Sequence, residues 1–502
     1  MFGTFFHPRY EKFPPLCASL TNQSITFTAP LPSYLNRRHP SSLSSYVHRS
    51  TSLLLHFSNR SCSSSSVTAA MSDHTKEANR DSSQRVDGNS ISDSDQKSSN
   101  EHLLEEAKQY DHRILGAKQE LFFSHEWSPG SWFFLPHGTR IYNKLVDFIR
   151  NQYKDRGYQE VISPNVFKKD LWDKAENYNK EDMYVLEIDK QEYGLKPMNS
   201  EGHCLMFEHR VRSYRELPLR FADFGVLHRN VASDVLSGLT HVRRVQQDDA
   251  HIFCMESQIK DEVIKALNFI DYVYQVFGFT YELKLSTRPE GYLLDFETCE
   301  KAENALREAL NEFGKPWKLN GGGGASYGPK IDISVSDSFS RKFQCATLQL
   351  DFKLPEKFKL EFSAENEGKI ERPVMIRRAI LGSVEHSIAI LLEHYKGKWP
   401  FWLSPRQAIL CPVSEKSQAY ALQVRSQIHQ AGYHVDADTT DMNIQKKVQE
   451  AQLAQYNYIL VVGEEEANTG QVSVYVRDKA DHSVMSIENL LKHFRDEIEA
   501  FH

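Results

Sequence analysis

Gly382 and Ser383 stand at the head of a segment whose apolar residues Val384, Ile388, Leu391 and Tyr395 recur at helical spacing. A helix opening there leaves free N–H groups at its start, and such groups suit a phosphate. A second glycine run, Gly321 to Gly324, lacks a following Gly-Lys-Ser/Thr and reads as a flexible loop rather than a phosphate loop. Taken alone, Asp249 near Arg243 and Arg244 reads as an ordinary ion pair, and Tyr327 before Gly328 and Pro329 as a packed turn residue. The 7 cysteines form no CxxC pair, which argues against a disulfide framework or a zinc ribbon and fits a reducing compartment.

These groups need a scaffold. Leu103, Leu104 and Ala107 start a helical pattern near Glu101 that Ile114, Leu115, Leu121 and Phe122 continue. Ile141, Leu145, Phe148 and Ile149 predict a second helix, stopped by Gly157, and Tyr158 to Ile162 reads as a strand. Further strands are expected at Gln344 to Phe352 and Pro373 to Ile376, and a long helix at Ile259 to Val276. This α+β region, 101–404, closes at Ser404 and Pro405. Across 405–502 the pattern alternates: strand Ala408 to Val413, helix Lys416 to Ala431, strand Tyr433 to Ala437, helix Ile444 to Gln455, strands Tyr458 to Val462 and Val472 to Val476, helix Ile487 to Phe501. Such alternation implies a small sheet covered by helices. No internal repeat points to a solenoid.

At 40% apolar and 25% charged, 502 residues suffice for two or three folded domains. No window approaches the ~20 apolar residues of a membrane span. The net charge of −7 offers no bulk attraction for nucleic acid, so RNA contacts need local basic patches. From Met1 to Ala70 the only acid is Glu11, against Arg9, Lys12, Arg37, Arg38, Arg49 and Arg60 in a Ser-rich sequence. The segment 1–70 thus reads as a transit peptide for a mitochondrion or plastid, with a disordered tail as the other reading. The polar run 71–100 reads as a disordered linker, and a second start at Met71 would leave a cytoplasmic product.

Order along the chain adds what single motifs lack. GYQEVISPNVF, ending at Phe167, resembles the class II synthetase dimer motif, with Pro164 at its signature position. RELPLRFADFGVLHRN to Asn230 with QQDDAHIFC to Cys254 resembles the second class motif, and RPVMIRRAILGSVE to Glu385 the third. LKPMN, STRPE, YGPKIDI, QCATLQLDF and KWPFWLSPRQ are similar to threonyl-tRNA synthetases of the eukaryotic cytosolic type in particular. The resemblance covers Glu101 to His502 and implies a six- or seven-stranded antiparallel catalytic sheet followed by an α/β anticodon-binding domain.

It further implies ATP with Mg2+ as co-substrate, tRNA as acceptor, and a homodimer, with a heterodimer with a full-length synthetase as a further pairing. Adenylate formation sets a carboxylate against a triphosphate, so cations must offset charge developing at the α-phosphate. By the match, Arg229 bridges that phosphate and the amino-acid carboxylate, a task suited to its planar fork. Asp249 and Tyr327 hold the substrate ammonium; Gln349 and Met198 lie on the amino-acid side; Gln344, Thr347, Lys330, Ser383 and His386 lie toward the nucleotide. The family's N-terminal editing region is not expected here.

Several family positions are changed. The family holds zinc with one Cys and two His; the matching positions are Ser200, His251 and Arg377, of which only His251 is a usable ligand. An empty metal site is expected, with Arg377 supplying a charge but no Lewis acid. On the nucleotide side an acidic residue is Val231, an adenine-stacking aromatic is Val245, and two arginines are His241 and His386. Further departures are Gly323, Ser326 and the run Ala175 to Tyr178; in the C-terminal domain an Arg-Thr-Arg strand is Tyr475, Val476 and Arg477. A truncated paralogue with impaired or lost threonine activation follows, its rivals being a synthetase-like binding module and a synthetase of changed amino-acid specificity.

Overall fold

The computed structural model describes residues 107–502 except 176–179, 367, 480 and 481. The expectations for 1–70 and 71–100, for Leu103 and Leu104, and for Glu176 to Tyr178 lie outside the described residues. Helix α1, Pro136–Asp155, opens on a proline whose missing N–H costs nothing in the first turn. Ile141, Leu145, Phe148 and Ile149 bury one face of it, and Gly157 follows at φ 70°, a left-handed turn that glycine takes without strain.

The chain then lays down β1 (Gln159–Glu160), α2 (Ser200–Glu208), β2 (Leu219–Asp223), β3 (Val226–His228), β4 (Arg244–Gln246), β5 (Asp249–Cys254), α3 (Ile259–Phe277) and β6 (Thr280–Ser286). There follow α4 (Phe296–Phe313), β7 (Trp317–Asn320), β8 (Lys330–Ser336), β9 (Lys342–Asp351), β10 (Val374–Ala379) and α5 (Val384–His394). One 8-stranded sheet forms in the order β7-β6-β8-β9-β10-β5-β2-β1. Its inner strands are all antiparallel, whereas β7 and β1 add parallel edges. By these edges the strand count exceeds the six or seven that the resemblance implied; they are short and mostly exposed and carry no apolar alternation that would mark them in the sequence. The strand read at Tyr158 to Ile162 shrinks to β1 for the same reason.

Alternation along the strands decides what each face meets. Leu348, Leu350, Ile376, Ala250 and Ile252 pack into the core with Val263 and Ile270 of α3 and Leu306 and Leu310 of α4. The residues between them stand on the other face. Register aligns His251 with Arg377, Arg377 with Gln349, and Gln349 with Lys330.

The C-terminal part is a 5-stranded sheet of β11 (Ala408–Pro412), β12 (Val435–Ala437), β13 (Tyr458–Val462), β14 (Gln471–Val476) and β15 (His482–Ser486), in the order β12-β11-β13-β14-β15. Its first three strands are parallel and the last two antiparallel. Helices α6 (Glu415–Gln430), α7 (Ile444–Leu453), α8 (Glu464–Thr469) and α9 (Ile487–Glu499) accompany it. β15 and α8 escaped the sequence reading, since β15 is an exposed, polar edge and α8 buries no residue. Among the described residues no helix is long and apolar enough to cross a membrane.

Candidate active site

Met198, Asp249, Tyr327 and Gln349 line one cavity of about 250 Å³, together with Arg229 and Thr347. Ser200, His251 and Arg377 line the same space, as does Gln247, which the sequence reading passed over. Backbone geometry brings Tyr327 there: a Cβ on Gly328 would lie 2.0 Å from the Leu350 carbonyl oxygen, so only glycine lets this turn approach β9 so closely. The Tyr327 hydroxyl then donates to Gln349 Oε1 at 3.0 Å.

Asp249 is not paired with a neighbouring arginine. Arg244 Nη1 lies 2.7 Å from Glu385 Oε1, and Arg243 donates to the Val231 carbonyl at 2.9 Å and Ser233 Oγ at 3.0 Å. Asp249 instead accepts from Asn199 Nδ2 at 3.2 Å, and burial holds its carboxyl above the usual range against the pull of nearby cationic groups. Arg229 has no ion pair among the described residues; burial lowers its pKa while Asp249 and Asp182 oppose the shift. A half-buried guanidinium and a carboxyl paired with no arginine or lysine among the described residues thus face one cavity, an arrangement suited to a ligand carrying both a carboxylate and an ammonium.

Other nucleotide-side candidates are engaged elsewhere. Lys330 Nζ and Gln344 Nε2 approach Asp332 Oδ1 at 3.0 and 2.7 Å, and neither residue lines the cavity. Ser383 caps α5, accepting from the His386 backbone N–H at 3.0 Å. Burial, helped by His241 and His112, brings the pKa of His386 down to about 4. That imidazole is neutral near pH 7, and the free start of α5 is already capped. Val245 is buried in a small apolar cluster with Leu227 and Val242.

At the three family metal positions every side chain has a protein partner. Ser200 Oγ donates to Glu201 Oε2 at 3.1 Å, and Arg377 Nη2 donates to the buried carboxylate of Asp351. Burial alone would lower the pKa of Arg377, but Asp351, Tyr327 and Glu201 outweigh it and hold the guanidinium charged. His251 Nδ1 lies 2.6 Å from His203 Nδ1, and burial with the neighbouring His203 and Arg377 sets its pKa well below the ordinary value.

Residues 184–395 match the model of the tRNA synthetase class II core domain (G, H, P, S and T), and 407–497 match the anticodon binding domain. The chain is 50% identical to the crystal structure of the RNA binding domain of threonyl-tRNA synthetase from Cryptosporidium parvum Iowa II, at a TM-score of 0.76, covering 77% of this chain and 98% of that one. The chain belongs to the threonyl-tRNA synthetase family. Threonine–tRNA ligase, mitochondrial 1, of Arabidopsis thaliana is 68% identical over 425 residues, 84% of this chain and 60% of the relative. The cytoplasmic threonine–tRNA ligase of Saccharomyces cerevisiae is 53% identical over 431 residues, 84% of this chain and 58% of the relative. The chain therefore spans about 60% of the length of the curated relatives it matches.

In this synthetase-family pocket, sequence reasoning missed Glu201, His203 and Asp351. Asp351 sits inside the quoted QCATLQLDF, and Glu201 and His203 lie just past LKPMN, but a buried acid beside Ser200 and Arg377 acquires meaning only when the strands meet. Tyr475 already stacks on His482, with centroids 5.2 Å apart and planes at 13°, and Arg477 donates to the carbonyls of Trp399 at 2.7 Å and Gln455 at 3.2 Å.

Proposed function

We propose that this chain is a threonine–tRNA ligase by descent, with a catalytic region at 101–404 and an anticodon-binding region at 405–502, in which ATP-dependent threonine activation is impaired or lost. The observation that carries this reading is the Arg377–Asp351 pair, which fills a family zinc-ligand position with a cation held by a buried acid. Zinc does not suit the residues present. A serine engaged with Glu201, a guanidinium without a free lone pair, and a histidine bonded to another histidine offer no set of three donors.

What remains for activation is Arg229 and Asp249. Arg229 would orient the amino-acid carboxylate toward the α-phosphate of ATP, entering with Mg2+ as substrate, and offset charge as the carboxylate oxygen displaces pyrophosphate. Asp249 would hold the ammonium, with Tyr327, Gln349 and Met198 bounding the side chain and Thr347 the nucleotide side. Each missing preorganised contact costs about 10² to 10³ in rate, so the valines, the neutral His386 and the lost ion together reduce activation severely.

The closest competing reading is a synthetase-like module that binds RNA, or pairs with itself or a full-length synthetase; the intact sheet beside an altered pocket favours it. ATP–pyrophosphate exchange across the amino acids separates these readings: slow exchange with threonine supports impaired activation, and silence with all supports loss and the binding module. Exchange with another amino acid would overturn the threonine assignment. For location we propose an organelle address in 1–70, tested by sequencing the mature N-terminus; a product starting only at Met71 would contradict it.

A further inference from the structure

A second cavity, about 260 Å³, opens where α1 meets the C-terminal sheet. Arg140 and Lys144 reach it from α1, His434 from the approach to β12, and Arg495 from α9. Several cations of the fold meet acids: Arg220 lies 2.6 Å from Glu262, Arg150 2.8 Å from Glu160 and Lys260 3.0 Å from Glu312. Here Arg140, Lys144 and Arg495 have no ion pair among the described residues, and Arg140 has only the Pro405 carbonyl at 3.0 Å. Trp402 also lines the cavity, and its buried indole N–H has no acceptor among the described residues. Among the described residues Glu499 is the one acid on the lining.

Like charges gathered on a concave surface repel one another and focus a positive field into the space they enclose. Two guanidinium forks and an ammonium, set against the single acid Glu499 among the described lining residues, match an anion with several acceptor oxygens, and Arg and Lys are the usual partners of phosphate. We infer that this seam cavity binds a phosphate group, and that the phosphate is a backbone diester of an RNA lying across both domains. Its place between the catalytic sheet and the anticodon-binding region supports the RNA source, which rests on the proposed tRNA-binding role; a free phosphorylated molecule shares the chemistry.

The test uses the full chain with Lys144→Gln alone, an exposed position that spares the fold, and with Arg140→Gln, Lys144→Gln and Arg495→Gln combined. Unfractionated tRNA binding is measured against salt, and inorganic pyrophosphate by the rise in Tm, with Arg229→Ala removing any contribution from the catalytic pocket. The expected result is that the single variant flattens the plot of log affinity against log salt by about 1 and the triple by about 2 to 3. Loss of the pyrophosphate response in the triple variant, with RNA binding unchanged, would keep the phosphate site but overturn the RNA source. If wild type bound no tRNA yet showed that pyrophosphate loss, the tRNA role would fall and the cavity assignment stand. Unchanged RNA slope and unchanged pyrophosphate response in both variants would overturn the inference.

Discussion

The guanidinium of Arg377 lies over the ring of Tyr327, 4.7 Å from its centroid, while its Nη2 holds Asp351. A cation is thereby fixed into the wall of the amino-acid pocket, and Tyr327 is braced between it and Gln349. The pair couples the fold's stability to the pocket's chemistry.

Removing the cation leaves Asp351, which is 0% exposed, as an uncompensated buried charge. Arg377→Ala should destabilise the protein by about 3 to 5 kcal/mol, the range for breaking a buried pair, although Asp351 keeps two backbone donors at Lys353 and Leu354. Urea unfolding measures it. A loss below about 1 kcal/mol would show that the pair does not hold this wall.

Zinc should be absent from purified protein and should appear, at about one ion per chain, when Ser200→Cys and Arg377→His are combined, because a thiolate and an imidazole then join His251. Elemental analysis after dialysis reads the outcome. Stoichiometric zinc in the wild type would contradict the reading of these positions.

Arg229 faces the cavity without an ion pair among the described residues, so Arg229→Ala should change unfolding stability by less than about 1 kcal/mol. Any residual pyrophosphate exchange should drop by about 10² or more. Equal exchange in variant and wild type would remove Arg229 from the chemistry.

His386 titrates near pH 4 in the fold, against an ordinary value of 6.5, because burial disfavours its charged form. The unfolded chain therefore binds the extra proton first as pH falls. The stability this histidine contributes is full above about pH 6.5 and is lost progressively toward pH 4, by about 2 to 3 kcal/mol. His386→Asn should flatten the decline of stability between pH 7 and 4; curves parallel to the wild type would refute the assignment.

In the C-terminal sheet, Arg477→Ala should act on stability, costing about 1 to 3 kcal/mol by removing the donor to the Gln455 carbonyl and leaving the Trp399 carbonyl only Asn457 Nδ2, and should leave RNA selectivity unchanged. Tyr475→Ala should weaken RNA binding, at about 1 to 3 kcal/mol if a base extends its stack on His482. The reverse pattern in binding and melting curves would exchange their roles.

The sequence by itself determined the family, through ordered motifs from GYQEVISPNVF to KWPFWLSPRQ, and most of the long elements, through apolar periods such as that of Ile141 to Ile149. It also exposed the changed positions Ser200 and Arg377, because those are properties of residue type. Tertiary structure alone decided that Lys330 and Gln344 are taken up by Asp332, that Arg244 serves Glu385 rather than Asp249, and that Arg377 is neutralised by Asp351. Partner choice for a charge depends on strand register and burial, which join residues far apart in the chain, and no local pattern encodes which acid lies within reach.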